Sequence, residues 1–196
     1  MLDIDSYVRV GLGLYIYHPS RNKWCLYNGL VTSLRSDMVI DKARPIFGQV
    51  SYANLVSYRD SCIIFIGGYQ PAKRCASSKV FTYQISADKW SDQAPELNKA
   101  RFYHSSLVLG DSIYVCGGQG TLDDDSLLNC IEKLEDVGNI TDGKARWVTL
   151  DIRTPQTMKN FLMIPIAADE ILFLGGRTGA GTSPFINPVV LTLNAD

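Results

Sequence analysis

An all-β fold of repeated, four-stranded antiparallel sheets is predicted by three observations. Three double glycines each close a short apolar run, CIIFIGG at Gly67-Gly68, IYVCGG at Gly117-Gly118 and ILFLGG at Gly175-Gly176. The first glycines of these pairs stand 50 and 58 residues apart, a period that suits propeller blades rather than a helical solenoid. Two further segments, YHPSRNKW and YQISADKW, each place a tyrosine seven residues before a tryptophan, Tyr17 before Trp24 and Tyr83 before Trp90. No window holds a sustained 3.6-residue apolar pattern, so almost no helix is expected.

Each repeat resolves into strands. Counting back from the glycine pairs brings Ile63, Ile113 and Ile171 into line, and likewise Phe65, Val115 and Phe173. A second strand-like run precedes each of these: YANLVSY, FYHSSLVL and FLMIPIAA. The short turns between them, Arg59-Asp60, Gly110-Asp111 and Ala168-Asp169 among them, read as β-hairpins. A second strand pair follows downstream, marked by the Tyr–Trp segments and, after a longer loop, by Trp147 in KARWVTL. Paired glycines suit a point where the backbone bends sharply and neighbouring sheets leave no room for a side chain. The tryptophans have the apolar area to fill a gap between twisted sheets, and a buried indole N–H needs an acceptor nearby.

The chain has 196 residues, a formal net charge of −1 and 46% hydrophobic residues spread along its length. That composition argues against disorder and supplies a sizeable core. Near-neutral charge gives no electrostatic footprint for nucleic acid or an anionic membrane. The opening residues lack a basic segment followed by a long apolar run, and no apolar run approaches a spanning length, so a soluble, cytoplasmic chain is expected. Cys25, Cys62, Cys75, Cys116 and Cys130 are odd in number and contain no CxxC pair, which favours free thiols over a disulfide framework. The sequon Asn139-Ile140-Thr141 is then expected to stay bare.

At Ala100–Gly118 the stretch ARFYHSSLVLGDSIYVCGG resembles the kelch repeat nearly in full: the arginine, the His-Ser, the turn, the apolar strand and the glycine pair. The later tyrosine and tryptophan are further hallmarks of that family, and the resemblance runs over roughly residues 12–194. It implies kelch-type β-propeller blades, with structural residues at Trp24, Gly67, Gly68, Tyr83, Trp90, His104, Gly117, Gly118, Trp147, Gly175 and Gly176. It also implies a protein–protein interaction module or scaffold that binds a partner protein or peptide through its inter-strand loops. By position, the partner-binding residues would be Tyr69, Gln119 and Arg177 just after the glycine pairs, with Arg101 and, in its place in the last repeat, Lys159. Arg101 has a second reading of equal weight, as an anchor between blades. Some proteins similar in this way are oxidases or sugar-modifying enzymes, and others are ubiquitin-ligase adaptors with an N-terminal dimerisation domain.

Blade boundaries are expected at about 44–95 and 100–152, with a partial N-terminal blade over 1–30 and a partial C-terminal blade over 159–196. In the last of these, Leu193 is expected in the place of Tyr83, which would put the matching tryptophan beyond Asp196. About three blades result, fewer than the roughly four to eight that close a propeller. An incomplete or open propeller is therefore expected. It would be a truncated piece of a longer one, an arc whose missing blades a longer chain supplies, or half of a homodimer that exchanges its Trp24 hairpins. Residues 28–54 are too long for a simple connection and read as a loop region.

No catalytic constellation, metal site or cofactor is expected. His18 and His104 have no accompanying ligand spacing, and His104 belongs to the repeat. Asp123-Asp124-Asp125 lacks the alternation and downstream glutamate of a calcium loop and reads as a solvated acidic tip. The run from Gly175 to Ser183 looks like a phosphate loop but has no lysine, and Pro184 and Pro188 forbid the helix that should follow. Cys75, beside Lys73 and Arg74, has the surroundings of a redox-sensitive thiol, and reads more plainly as an exposed one.

Overall fold

A computed structural model of the chain describes the backbone of residues 14–18 and 23–27, and residues 50–87, 89–123, 126–178 and 187–193 in full. These residues form an all-β arrangement of antiparallel sheets, and the helical content among them is small. An N-terminal hairpin joins β1 (Leu14–His18) to β2 (Lys23–Tyr27). The first blade contains β3 (Asn54–Tyr58), β4 (Cys62–Ile66), β7 (Val80–Gln84) and β8 (Lys89–Ser91), in the order β3-β4-β7-β8. A two-residue ribbon, β5 (Tyr69–Gln70) with β6 (Cys75–Ala76), lies in the connection between β4 and β7. The second blade has β9 (Ser105–Leu109), β10 (Ser112–Cys116), β11 (Cys130–Glu135) and β12 (Arg146–Arg153) in the same arrangement. The third has three strands, β13 (Lys159–Pro165), β14 (Glu170–Arg177) and β15 (Val189–Thr192). This is the predicted open propeller of kelch-type blades. Most of the long region 28–54 lies outside the described residues, as do Asp124, Asp125 and the glycine-rich run from Gly179 onward.

The seven-residue Tyr–Trp spacing has a direct structural meaning. Tyr83 and Trp90 face each other across the β7–β8 hairpin, as Tyr17 and Trp24 do across β1–β2. The rings of Tyr83 and Trp90 lie 5.1 Å apart, within the range where an aromatic pair adds to simple burial. In the second blade Leu134 holds the tyrosine position opposite Trp147. The Trp147 indole N–H donates to the Pro95 carbonyl at 3.0 Å, so its polar edge is satisfied inside the core.

Strand alternation sends successive side chains to opposite faces, and each face of the second blade closes on a neighbour. Ile113, Val115, Leu134 and Trp147 pack against Val56, Tyr58, Ile64, Ile66 and Val80 of the first blade. Leu107, Tyr114, Cys116 and Ile131 pack against Met158, Phe161, Met163, Ile171 and Phe173 of the third. Ile64, Ile113, Ile131 and Ile171 are fully buried, each contributing on the order of 1.5–3 kcal/mol by leaving water.

The two ends of the blades are joined very differently. At the glycine end, backbone hydrogen bonds cross each gap: the Gly68 N–H donates to the Arg101 carbonyl and the Gly118 N–H to the Met158 carbonyl, both at 2.8 Å. Tyr52, Tyr103 and Asn160 occupy matching left-handed positions, with φ of 58°, 58° and 56°. The Tyr103 N–H donates to the Tyr52 carbonyl at 3.2 Å and the Asn160 N–H to the Tyr103 carbonyl at 2.9 Å. At the hairpin end, the first two blades are linked by the exposed ion pair of Arg59 with Asp111 at 2.7 Å.

These contacts correct two assignments made by counting residues. Met158, not Lys159, stands where Arg101 stands, because its carbonyl takes the same glycine N–H. Lys159 corresponds to Phe102, Asn160 to Tyr103 and Phe161 to His104. The cause is the hairpin turn of the third blade: residues 167–169 span it, whereas residues 110–111 suffice in the second. Equal counts back from the glycines therefore slip by one. Likewise Leu191, not Leu193, is the counterpart of Tyr83, since Ile171 faces Leu191 as Ile63 faces Tyr83.

Candidate functional site

Four of the residues expected to meet a partner, Tyr69, Gln119, Lys159 and Arg177, gather at the glycine end, because each follows a glycine pair or faces a residue that does. Ser51 bridges to Tyr69 and Phe102 to Gln119, while Lys159 faces Arg177 across β13–β14. The Lys159 ammonium donates to the Gln119 side-chain carbonyl at 3.0 Å, crossing from the third blade to the second. The Gln119 amide in turn donates to the Asp123 backbone carbonyl at 2.9 Å. Gln119 is only 2% exposed, so its part is to hold Lys159 and the 121–126 loop. Tyr69 and Lys159 are half-buried, and Arg177 is exposed.

An aromatic series extends this surface toward the first blade. The Tyr69 ring lies 5.2 Å from that of Phe102, Phe102 lies 4.9 Å from Tyr103, and Tyr103 lies 4.3 Å from Tyr52. Tyr52 is 54% exposed. Burial, and then the neighbouring Tyr52 phenol, hold the Tyr103 hydroxyl above its ordinary pKa. Bulky residues rarely adopt positive φ, so two tyrosines there, Tyr52 exposed and Tyr103 half-buried, are a distinctive feature. Sequence reasoning did not select Tyr52 or Tyr103. The signal was present, since both stand at the same step before an apolar strand, but two turns of different length hid the match.

Arg101 is turned inward and is fully buried. Its guanidinium pairs with the equally buried Glu132 carboxylate and donates to the Gly117 carbonyl at 2.8 Å. A second guanidinium nitrogen lies 3.2 Å from the Cys130 sulfur. Glu132 also accepts from the backbone N–H groups of Asn98 at 2.7 Å and Lys99 at 3.1 Å. The geometry is that of an anchor between the 98–101 segment and β11, and it leaves Arg101 no surface to offer a partner.

His104 is 6% exposed, and neither ring nitrogen makes a well-formed hydrogen bond among the described residues. Burial, and secondarily the charge of Arg101, push its pKa down to about 3. The unfolded imidazole binds a proton near its ordinary value of about 6.5, which the folded one refuses. Stability is therefore expected to fall as pH drops below about 6.5 and to level off near 3, with about 2 kcal/mol lost by pH 5. Urea melts at pH 7.5 and pH 5 check this, comparing wild type with His104→Phe, the residue type that Phe161 supplies in the next repeat. A slope unchanged in the variant would remove His104 as its source.

The four described cysteines are unpaired, with Cys62, Cys116 and Cys130 buried and Cys75 exposed. Burial pushes the Cys62 thiol up to about 11 and Cys116 higher still, so neither is a nucleophile at neutral pH. Among the described residues no three His, Cys, Asp or Glu side chains gather as a metal site. No helix among them is long and apolar enough to cross a membrane.

Blades of this register, with the glycine pair, the Tyr–Trp hairpin and the inter-blade carbonyl seat, are those of an open propeller of the kelch type. Comparison with known proteins agrees. Beta-scruin of Limulus polyphemus is 30% identical over 117 residues, covering 57% of this chain and 11% of that protein. Alpha-scruin of the same animal is 24% identical over 120 residues, covering 59% of this chain and 11% of its own length. Kelch-like protein 23 of Homo sapiens is 36% identical over 66 residues, covering 32% of this chain and 12% of that protein. All are kelch-repeat proteins, and the match spans about a ninth of their length. No family model matches the chain.

Proposed function

We propose that the chain is a protein-interaction module that binds a partner protein or peptide, in the cytoplasm, through the glycine end of its blades. The observation that carries this reading is the gathering of Tyr52, Tyr103, Tyr69, Lys159 and Arg177 on that one end. Tyrosine and arginine are the side chains that dominate interface energies when water is excluded around them. The exposed Arg177 guanidinium suits an acidic side chain on the partner. Relatives built from the same repeat support an interaction role rather than a catalytic one. The test is affinity capture with the intact chain, followed by titration of the captured protein against Tyr69→Ala and Arg177→Glu variants. Each is expected to weaken binding at least about tenfold while leaving the melting curve unchanged. A partner that binds wild type and both variants equally would place the interface elsewhere.

A further inference from the structure

An aspartate can turn its carboxyl carbon on its own backbone when the next residue is too small to shield the amide nitrogen. Among the described residues three aspartates have such a neighbour: Asp60 before Ser61, Asp111 before Ser112 and Asp142 before Gly143. The fold treats them differently. The Ser61 N–H donates to the Tyr58 carbonyl at 3.2 Å. Ser112 is paired with Leu109 in the β9–β10 ladder, and the Asp111 carboxylate is held by Arg59 at 2.7 Å. The Gly143 N–H, by contrast, has no acceptor among the described residues. Residues 141–144 are all exposed and lie in the connection from β11 to β12. A Cβ placed on Gly143 would meet nothing within 4 Å, and its φ of +73° lies where glycine alone turns freely. The Thr141 hydroxyl donates to an Asp142 carboxyl oxygen at 3.2 Å, which draws electron density away from the carbon under attack.

We propose that Asp142–Gly143 is a site of spontaneous covalent modification, at which the folded chain acquires isoaspartate. The Gly143 nitrogen attacks Asp142 Cγ while the carboxyl group is protonated. A bond from nitrogen to Cγ forms, the Cγ–OH bond breaks, and the hydroxyl leaves with the amide proton as water, closing a succinimide ring. Water then opens the ring at either carbonyl. One opening restores aspartate; the other leaves residues 142 and 143 joined through the side-chain carbonyl, with the α-carboxylate free. Water is released and taken up again, so mass is unchanged and no other reactant is needed. At Asp60 and Asp111 the same attack would first have to break a backbone hydrogen bond or a strand pairing, which the fold opposes. Ile140 and Ala145, on either side of the exposed turn, are buried between the first two blades, so the added main-chain carbon falls outside the core. The turn lies at the hairpin end, and the modification is therefore independent of the partner-binding surface at the glycine end.

The test is to age the purified, folded chain for weeks in neutral buffer at physiological temperature and then digest it. The separated peptides are offered to an isoaspartyl methyltransferase with a labelled methyl donor, and their masses are measured. Label is expected on the peptide carrying Asp142, at unchanged mass, and not on those carrying Asp60 or Asp111. Asp142→Glu should remove that label, because the larger ring it would need closes far less readily. Asp142→Asn should gain label faster than wild type, since ammonia leaves from an amide along the same path. Both variants should keep the wild-type circular-dichroism melt, the side chain being exposed. Deamidation at Asn28-Gly29 adds mass and falls on another peptide, so it does not confuse the reading. An unlabelled Asp142 peptide, label shared equally with Asp60 and Asp111, or label that arises only after unfolding in guanidinium would each overturn the proposal.

Discussion

Arg101→Ala is expected to destabilise the chain by about 3–5 kcal/mol, the cost of leaving a buried carboxylate without its counter-ion. Glu132 is fully enclosed and has no route to water, so the loss is one of solvation more than of attraction. Glu132→Ala should cost a similar amount from the other side, because it also strips the acceptor from the Asn98 and Lys99 amides. The repeats themselves supply the revealing control. Where the second blade has Arg101 facing Glu132, the third has Met158 and Val189, since Phe173 faces Val189 as Val115 faces Glu132. Arg101→Met combined with Glu132→Val should therefore recover most of the single-variant loss. About 1–2 kcal/mol should remain for the two unpaired amides. Chemical denaturation of the two single variants and the double variant measures the coupling. A double variant no better than the worse single one would mean that the ion pair does more than fill its seat.

Gly117→Ala should cost about 2–4 kcal/mol, for two separable reasons. Its φ of +62° penalises any Cβ by roughly 1 kcal/mol. The added methyl would also lie 2.6 Å from the Met158 carbonyl and 2.8 Å from the Phe161 ring, and overpacking of that kind costs about 1–3 kcal/mol more. Gly175→Ala has a similar φ of +69° with open space around it, so it should show the backbone penalty alone. The difference between the two variants in urea melts isolates what the following blade contributes by closing over the glycine. Equal losses would mean that the seat at Gly175 is filled in solution.

Much of this architecture was legible before any coordinates. The glycine pairs and the Tyr–Trp spacing are fixed by backbone geometry, and geometry repeats even where side chains drift. Tyr83 faces Trp90 because a seven-residue step closes that hairpin. What could not be read was any quantity depending on turn length. Residues 167–169 lengthen one turn, and that single addition moved Lys159 away from the Arg101 position and Met158 into it. Glu132 carried no signal of its own, because an acidic residue between Ile131 and Lys133 looks like an ordinary outward-facing position. Its meaning comes from Arg101, thirty-one residues earlier in sequence. Of the residues gathered at the glycine end, Tyr69 and Arg177 follow their glycine pairs as the repeat predicts, Lys159 stands one step on from its expected place, and Tyr52 and Tyr103 emerge only from the ladder of left-handed residues.

That ladder gives the molecule the construction of a book. Tyr52, Tyr103 and Asn160 are stitched carbonyl to amide along one margin, while on the opposite margin the first two blades are linked by Arg59 and Asp111, an exposed pair of the sort that adds little to stability. Pages bound on one side can differ in width on the other. The larger spacing between the second and third glycine pairs is accommodated there: residues 136–145 connect β11 to β12, where residues 85–88 suffice between β7 and β8. A turn of 3-10 helix, Val137–Asn139, is folded into that extra length. New segments inserted at the free margin would leave the binding undisturbed, whereas one residue added along the spine would shift every contact after it.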